Sequence, residues 1–143
     1  MIQFLHHYWA YLVLFMFALT IFGSLGAFLS GKKFNFNSDF RLALFTLISF
    51  VIQVILGFFA YFTSDHFQGI LQGHMGEYMK SAPDRLIVVE HPTMMLIALW
   101  FTYYGFKRMS RNIENRKKFL DLIIFYGIAF ILILIRIPWS KFL

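Results

Sequence analysis

Arg85, Glu90 and His91 open an otherwise apolar stretch that runs from Asp84 to Trp100. Ionisable groups at membrane depth are costly, so they persist only when paired, wet or bound to something. Glu90 and His91 are adjacent and point about 100° apart on a helix. His91, Met94, Met95 and Ala98 recur at i, i+3, i+4 and i+7, which puts them on one helix face. That face suits a cofactor, and it equally suits plain packing, since methionine commonly fills irregular core space.

The chain has five histidines and no cysteine, so disulfides, cysteine-ligated iron–sulfur clusters and thiolate metal sites are excluded. Three chemistries fit the remaining residues. The first is a b-type haem, held by neutral imidazoles from facing helices inside an apolar, aromatic wall. His6 or His7 with His91 are the candidate axial ligands. Arg85, Arg136 or Lys80 would pair with the propionates, as charge-assisted partners do. The twenty phenylalanines would serve as that wall or as a lipid-facing surface. The second is a small metal ion. His6, His7, His74, Glu77, Glu90 and His91 suit zinc or iron, and the run from His74 to Met79 offers copper soft methionine ligands, but no compact ligand motif is present. The third needs no cofactor: Arg85, Glu90 and Arg136 form an ion-pair network that braces helices or contacts a partner subunit. No GxSxG-type motif is present, so no catalytic residue is assigned. Four spans without a repeat or a broken helix pair do not make an alternating-access transporter.

The elements that must position these groups are membrane helices. Of 143 residues, 59% are hydrophobic, 21% aromatic and only 14% charged, against about a quarter charged in soluble domains. Mean hydropathy is +0.67. The expected fold is all-α, a single integral-membrane domain, an up-down four-helix bundle with spans at about 8–29, 42–62, 86–106 and 119–137. Each is long enough for roughly 30 Å of hydrocarbon. The first span lacks the basic leader of a cleavable signal peptide and carries His6 and His7 there instead. Tyr8, Trp9 and Tyr11 suit an interfacial aromatic belt, and Gly23 and Gly26 would permit close helix contact. Gln53 is expected to face the bundle and bond across helices, because lipid offers its amide no partner. Pro92 is tolerated if its helix begins near Val88 and makes a kink if the helix begins at Arg85. The loop 63–84 is the longest and mixes apolar with polar residues, which suits a short helix on the membrane surface.

Loops 30–41 and 107–118 hold nine of the thirteen Lys and Arg, so they are expected on the cytoplasmic side. Both termini and loop 63–84 then lie outside, periplasmic in a Gram-negative inner membrane. All five histidines fall on that outer side, with Glu77, Asp84, Arg85, Glu90 and Arg136. The net charge of +6 therefore reads as a topology signal and not as a nucleic-acid footprint. The partners implied are the lipid bilayer and other membrane subunits.

Almost the whole chain resembles a small four-span inner-membrane family of Bacteroidota, whose members are commonly labelled cytochrome b or cytochrome b-like. The matching pieces are Leu5-His6 with Trp9 to Leu14, then Gln53 with Leu56-Gly57 and Tyr61-Phe62, Met75-Gly76 and Met79-Lys80. Arg85 with Val89-Glu90-His91-Pro92, and Arg136-Ile137-Pro138-Trp139-Ser140, are the most specific. Relatives carry a second histidine where this chain has Tyr8, and some carry one at Val51; this chain offers His7 instead. His6 and His91 are thus the best-matched histidines. The resemblance implies a four-helix bundle holding haem b or acting as an electron-transfer accessory subunit beside a respiratory complex. His91 and His6 would ligate iron, with His7 and His74 as alternates. Glu90 would orient an imidazole, and Arg85 and Arg136 would hold anionic groups. The alternative reading is a cofactor-free accessory subunit whose His/Glu/Arg cluster braces helices or meets a partner.

Overall fold

The computed structural model describes residues 1–143, and every regular element in it is helical. The chain runs α1 (Ile2–Ser30), α2 (Phe36–Phe62), two short helices α3 (Asp65–Leu71) and α4 (Met75–Lys80), α5 (Ala82–Arg111), α6 (Asn115–Arg136) and a terminal turn α7 (Trp139–Phe142). The four long helices are apolar enough to cross a membrane. The shortest, α6, has 22 residues and covers about 33 Å at 1.5 Å per residue. The architecture is the all-α up-down four-helix bundle that the apolar spans imply.

The span boundaries move outward at most ends. Helix α1 begins at Ile2, not Tyr8, so His6 and His7 lie within its first two turns. Segment 63–84 is mostly helical: the Ser64 hydroxyl caps α3 by accepting from the Phe67 N–H, and α5 already starts at Ala82. Helix α5 runs unbroken through Pro92, and the turn Leu86–Glu90 before it is wide, of π type. Proline brings no N–H to the carbonyl of Val88, one turn back. That carbonyl accepts the Tyr61 hydroxyl instead, at 3.0 Å. A second π turn, Leu122–Tyr126, interrupts α6.

Lipid is as apolar as leucine, so helices in a membrane associate through close packing and polar bonds and not through hydrophobic sorting. Helix α1 follows this logic. It buries Val13, Phe17, Thr20, Ser24 and Ala27, and turns Phe15, Leu19, Phe22 and Leu25 outward. Four polar rungs climb the seam between α1 and α2. Gln3 donates to the Thr63 hydroxyl, Gln53 Nε2 to the His6 carbonyl, and Trp9 Nε1 to the Ser49 carbonyl, each at 2.8 Å. The Thr20 and Thr46 hydroxyls meet at the same distance. Gln53 thus bonds across helices as expected. Trp9 thus belongs to this seam. Gly23 and Gly26 make no close helix contact: both are exposed, with open space where a Cβ would stand. The close contacts between long helices at glycine are instead Gly105 of α5, against Phe125 and Tyr126 of α6, and Gly57 of α2, against His6 of α1. Tyr126 is fully buried and donates to the Ala43 carbonyl of α2 at 2.8 Å, which ties α6 across the centre.

The opposite end carries the basic loops. There Arg108 Nε donates to Asp121 at 3.2 Å, and the Asn112 amide donates to the same carboxylate. The Phe34 N–H donates to Asn115 Oδ1 at 3.1 Å, closing the first loop on the third. Asp121 is buried and pins the last turn of α5 to the first turns of α6. Reading the fourth span as simply apolar missed it, although an aspartate inside a span is itself a signal of a paired site.

Candidate ligand site at the histidine end

The start of α1, the end of α2, the start of α5 and the end of α6 meet at one end of the bundle. Gln53, Gly57 and Tyr61 recur at i, i+4 and i+8 on α2, so they share one face. That face receives His6 and the carbonyl of Val88. Gly57 forms the notch for the imidazole, since a Cβ there would stand 3.0 Å from His6 Cε1. Gln53 fixes the backbone that carries the ring, through its bond to the His6 carbonyl. Neither Gly57 nor Tyr61 was assigned a role from sequence. The available signal was their four-residue spacing from Gln53.

His91 faces this notch from α5. The His6 and His91 ring centroids are 6.4 Å apart, with planes at 72°. His91 Nδ1 lies 2.8 Å from the Arg136 carbonyl. A carbonyl can only accept, so Nδ1 carries the proton and the neutral ring presents its lone pair at Nε2. Orienting one imidazole nitrogen this way is how proteins prepare the other as a ligand. Arg136 sits in the last turn of α6, where the chain leaves the helix into Pro138. Its carbonyl has no helical donor to accept, so the bond to His91 caps the helix as well. The neighbouring Leu134 carbonyl, which Pro138 cannot serve, accepts Trp139 Nε1 at 2.9 Å.

Two polar atoms here are buried without a partner, His6 Nδ1 and Gln53 Oε1. Such atoms are few in native proteins and commonly mark a water, ion or ligand. Two metal–nitrogen bonds of about 2.0–2.1 Å plus two ring radii span roughly 6 Å, which matches the observed ring separation. The two rings are thus about as far apart as a pair of imidazoles on one metal centre. They do not suffice for a zinc site, which takes three or four protein ligands. No three His, Asp or Glu side chains converge on a common point.

The other candidates separate from this pair. Glu90 does not orient an imidazole: its carboxylate takes Arg85 Nε at 3.2 Å, and the Arg136 carbonyl holds His91 instead. Arg85 also donates to the Met79 carbonyl at 3.1 Å, so it is committed within its own segment. The side chain of Arg136 lines an outer groove that neither histidine lines. Arg85, Glu90 and Arg136 thus form no single network. His7 packs its ring against Tyr11 and Phe142, away from His91. His74 is exposed at the start of α4, and His66 pairs with Asp84 at 3.0 Å. Lys80 and Glu77 are exposed on α4. Tyr8 is 55% and Val51 38% exposed, so both positions face outward.

No family model, no curated protein and no solved structure matches the chain.

Proposed function

We propose that this chain is a b-type haem-binding membrane protein, a small electron-transfer or accessory subunit beside a respiratory complex. The observation that carries this reading is the His6–His91 pair, with ring centroids 6.4 Å apart and an unpartnered imidazole nitrogen between helices. His6 and His91 would be the axial ligands. Haem bound there would supply one-electron transfer. The protein's own part is to hold the imidazoles: Gly57 makes room for His6, Gln53 anchors its backbone, and the Arg136 carbonyl fixes the His91 tautomer. The resemblance of the Glu-His-Pro and Arg-Ile-Pro-Trp pieces to cytochrome b-like proteins points to the same reading. Haemin added to detergent-purified, haem-depleted protein should give a saturable Soret shift at one haem per chain. The double variant H6A/H91A should give only the spectrum of free or non-specifically bound haemin.

A second reading has its own observation. The His6 ring fills the Gly57 notch and Arg85 closes on Glu90, so the histidine end is already well packed. This favours a cofactor-free accessory subunit of a larger membrane assembly, in which the pair braces α1 against α5. It predicts no Soret shift in the same titration.

The proposed setting is a bacterial inner membrane, with the histidine end periplasmic and the basic loops cytoplasmic, following the bias of Lys and Arg. The absence of cysteine makes this simple to test. S38C should react with a membrane-impermeant thiol reagent only after the inner membrane is opened, and Q72C should react in intact spheroplasts. The reverse pattern would invert the topology.

A further inference from the structure

A groove of about 390 Å³ opens between the start of α5 and the end of α6, apart from the histidine pair. One part of its wall is apolar, from Leu86, Ile87 and Ile135. Ile135 is 55% exposed and Ile131, one turn below, is 57% exposed, so this wall continues onto the surface that faces hydrocarbon. The other part carries Arg136, Ser140 and Lys141, just past the end of α6, where a span reaches the headgroup layer.

The charge in this groove is unbalanced. Arg136 and Lys141 are in no ion pair. The carboxylates at this end offer little compensation. Glu90 lines the groove but is engaged by Arg85, and Asp65 and Glu77 stand exposed on α3 and α4; Asp84, bonded to His66, lies near enough to offset part of the Lys141 charge, which leaves the Arg136 charge without a counterpart. A soluble anion would satisfy the cations and leave the apolar wall unused. A neutral lipid would cover the wall and leave two cations beside a headgroup with no net charge to offer. An anionic phospholipid satisfies both, with phosphate oxygens accepting from Arg136, Lys141 and Ser140 and an acyl chain along Leu86, Ile135 and Ile131.

We propose that the groove between α5 and α6, with Arg136, Lys141 and Ser140 at its mouth, is a binding site for one anionic phospholipid. The site does not depend on haem, and its occupant lies at the protein–lipid boundary.

The test is native mass spectrometry of the full chain released from detergent containing phosphatidylglycerol or phosphatidylcholine at equal concentration, with inorganic phosphate as a third addition. The expected result is one retained phosphatidylglycerol, little phosphatidylcholine, and no competition by inorganic phosphate at concentrations comparable to the lipid. R136Q and K141Q should each weaken retention by about fivefold, on the scale of about 1 kcal/mol for one basic residue near an anionic surface. The Arg136 main-chain bond to His91 survives in R136Q, so a fold defect is not expected; the exposed K141Q serves as the second variant if one appears. Equal retention of both lipids overturns the proposal. So does retention that survives R136Q/K141Q but is lost in R116Q/K117Q, which would move the site to the basic end. Displacement by inorganic phosphate alone would make the groove a simple anion site and also overturn it.

Discussion

On the haem-binding proposal, H91A should lose the b-type absorbance completely while remaining folded. The imidazole is one of only two facing each other across the bundle, 6.4 Å from His6, and no other histidine is positioned to replace it. His7 packs edge-on against Tyr11 and Phe142, His66 is paired with Asp84, and His74 is exposed on the surface segment. The structural cost is modest by comparison. Removing the ring leaves the Arg136 carbonyl without its donor, at a cost of about 1–3 kcal/mol, and leaves a small space beside it. Loss of a ligand and loss of a brace are thus separable in one variant. The visible spectrum reads the first and the thermal midpoint in detergent reads the second. G57A provides a milder version, because its Cβ would stand 3.0 Å from His6 Cε1 and displace the ring without removing it. It should shift the absorbance or weaken haem retention while leaving H91A the more severe change. A spectrum unchanged in H91A would remove His91 from the site.

G105A should be strongly destabilising. Its Cβ would clash with Phe125 Cβ and stand 3.3 Å from Phe125 Cγ. An atom next to the backbone cannot swing away as the tip of a long side chain can, so α5 and α6 must separate. Tyr126, fully buried and bonded to the Ala43 carbonyl, lies 3.5 Å from the same Cβ and would be drawn with them. Overpacking of this kind costs about 1–3 kcal/mol, and the upper part of that range is expected here because both neighbours are fixed. G23A and G26A are the controls, since nothing stands within 4 Å of either Cβ. They should unfold like the parent protein, or slightly later, because alanine favours the helix. The midpoint of unfolding in increasing dodecyl sulfate compares the three. Equal midpoints would mean that α5 and α6 are not in this close contact.

Sequence alone reveals the bundle because hydrophobic length is a strong constraint: a spanning segment must satisfy every backbone group internally, so four long apolar runs imply four helices. The inward role of Gln53 was legible for the same reason. The helix packing was not. Gly23 and Gly26 looked like contact points, yet they face outward and Gly57 and Gly105 make the contacts. Composition along a lipid-exposed helix does not distinguish its faces, because leucine and phenylalanine are as comfortable in lipid as in a core. In the site, depth and side put His6 or His7 with His91, and only the resemblance favoured His6 over His7. The choice of the Arg136 carbonyl over Glu90 as the partner of His91 was not legible, because it depends on where α6 stops. Pro138 ends that helix and frees a main-chain acceptor, and the side chain of Glu90 meanwhile finds Arg85 on its own helix. Asp121 was overlooked because its span was judged by average character, although its carboxylate holds Arg108 and Asn112.

The most direct test of the haem-binding account is a reduced-minus-oxidised spectrum of the detergent-purified protein from haem-replete cells, with haem quantified as the pyridine haemochrome. The account predicts a b-type difference spectrum at about one haem per chain, as two axial imidazoles on one iron require. A flat spectrum from folded protein would contradict it and leave the histidine pair as a brace between α1 and α5.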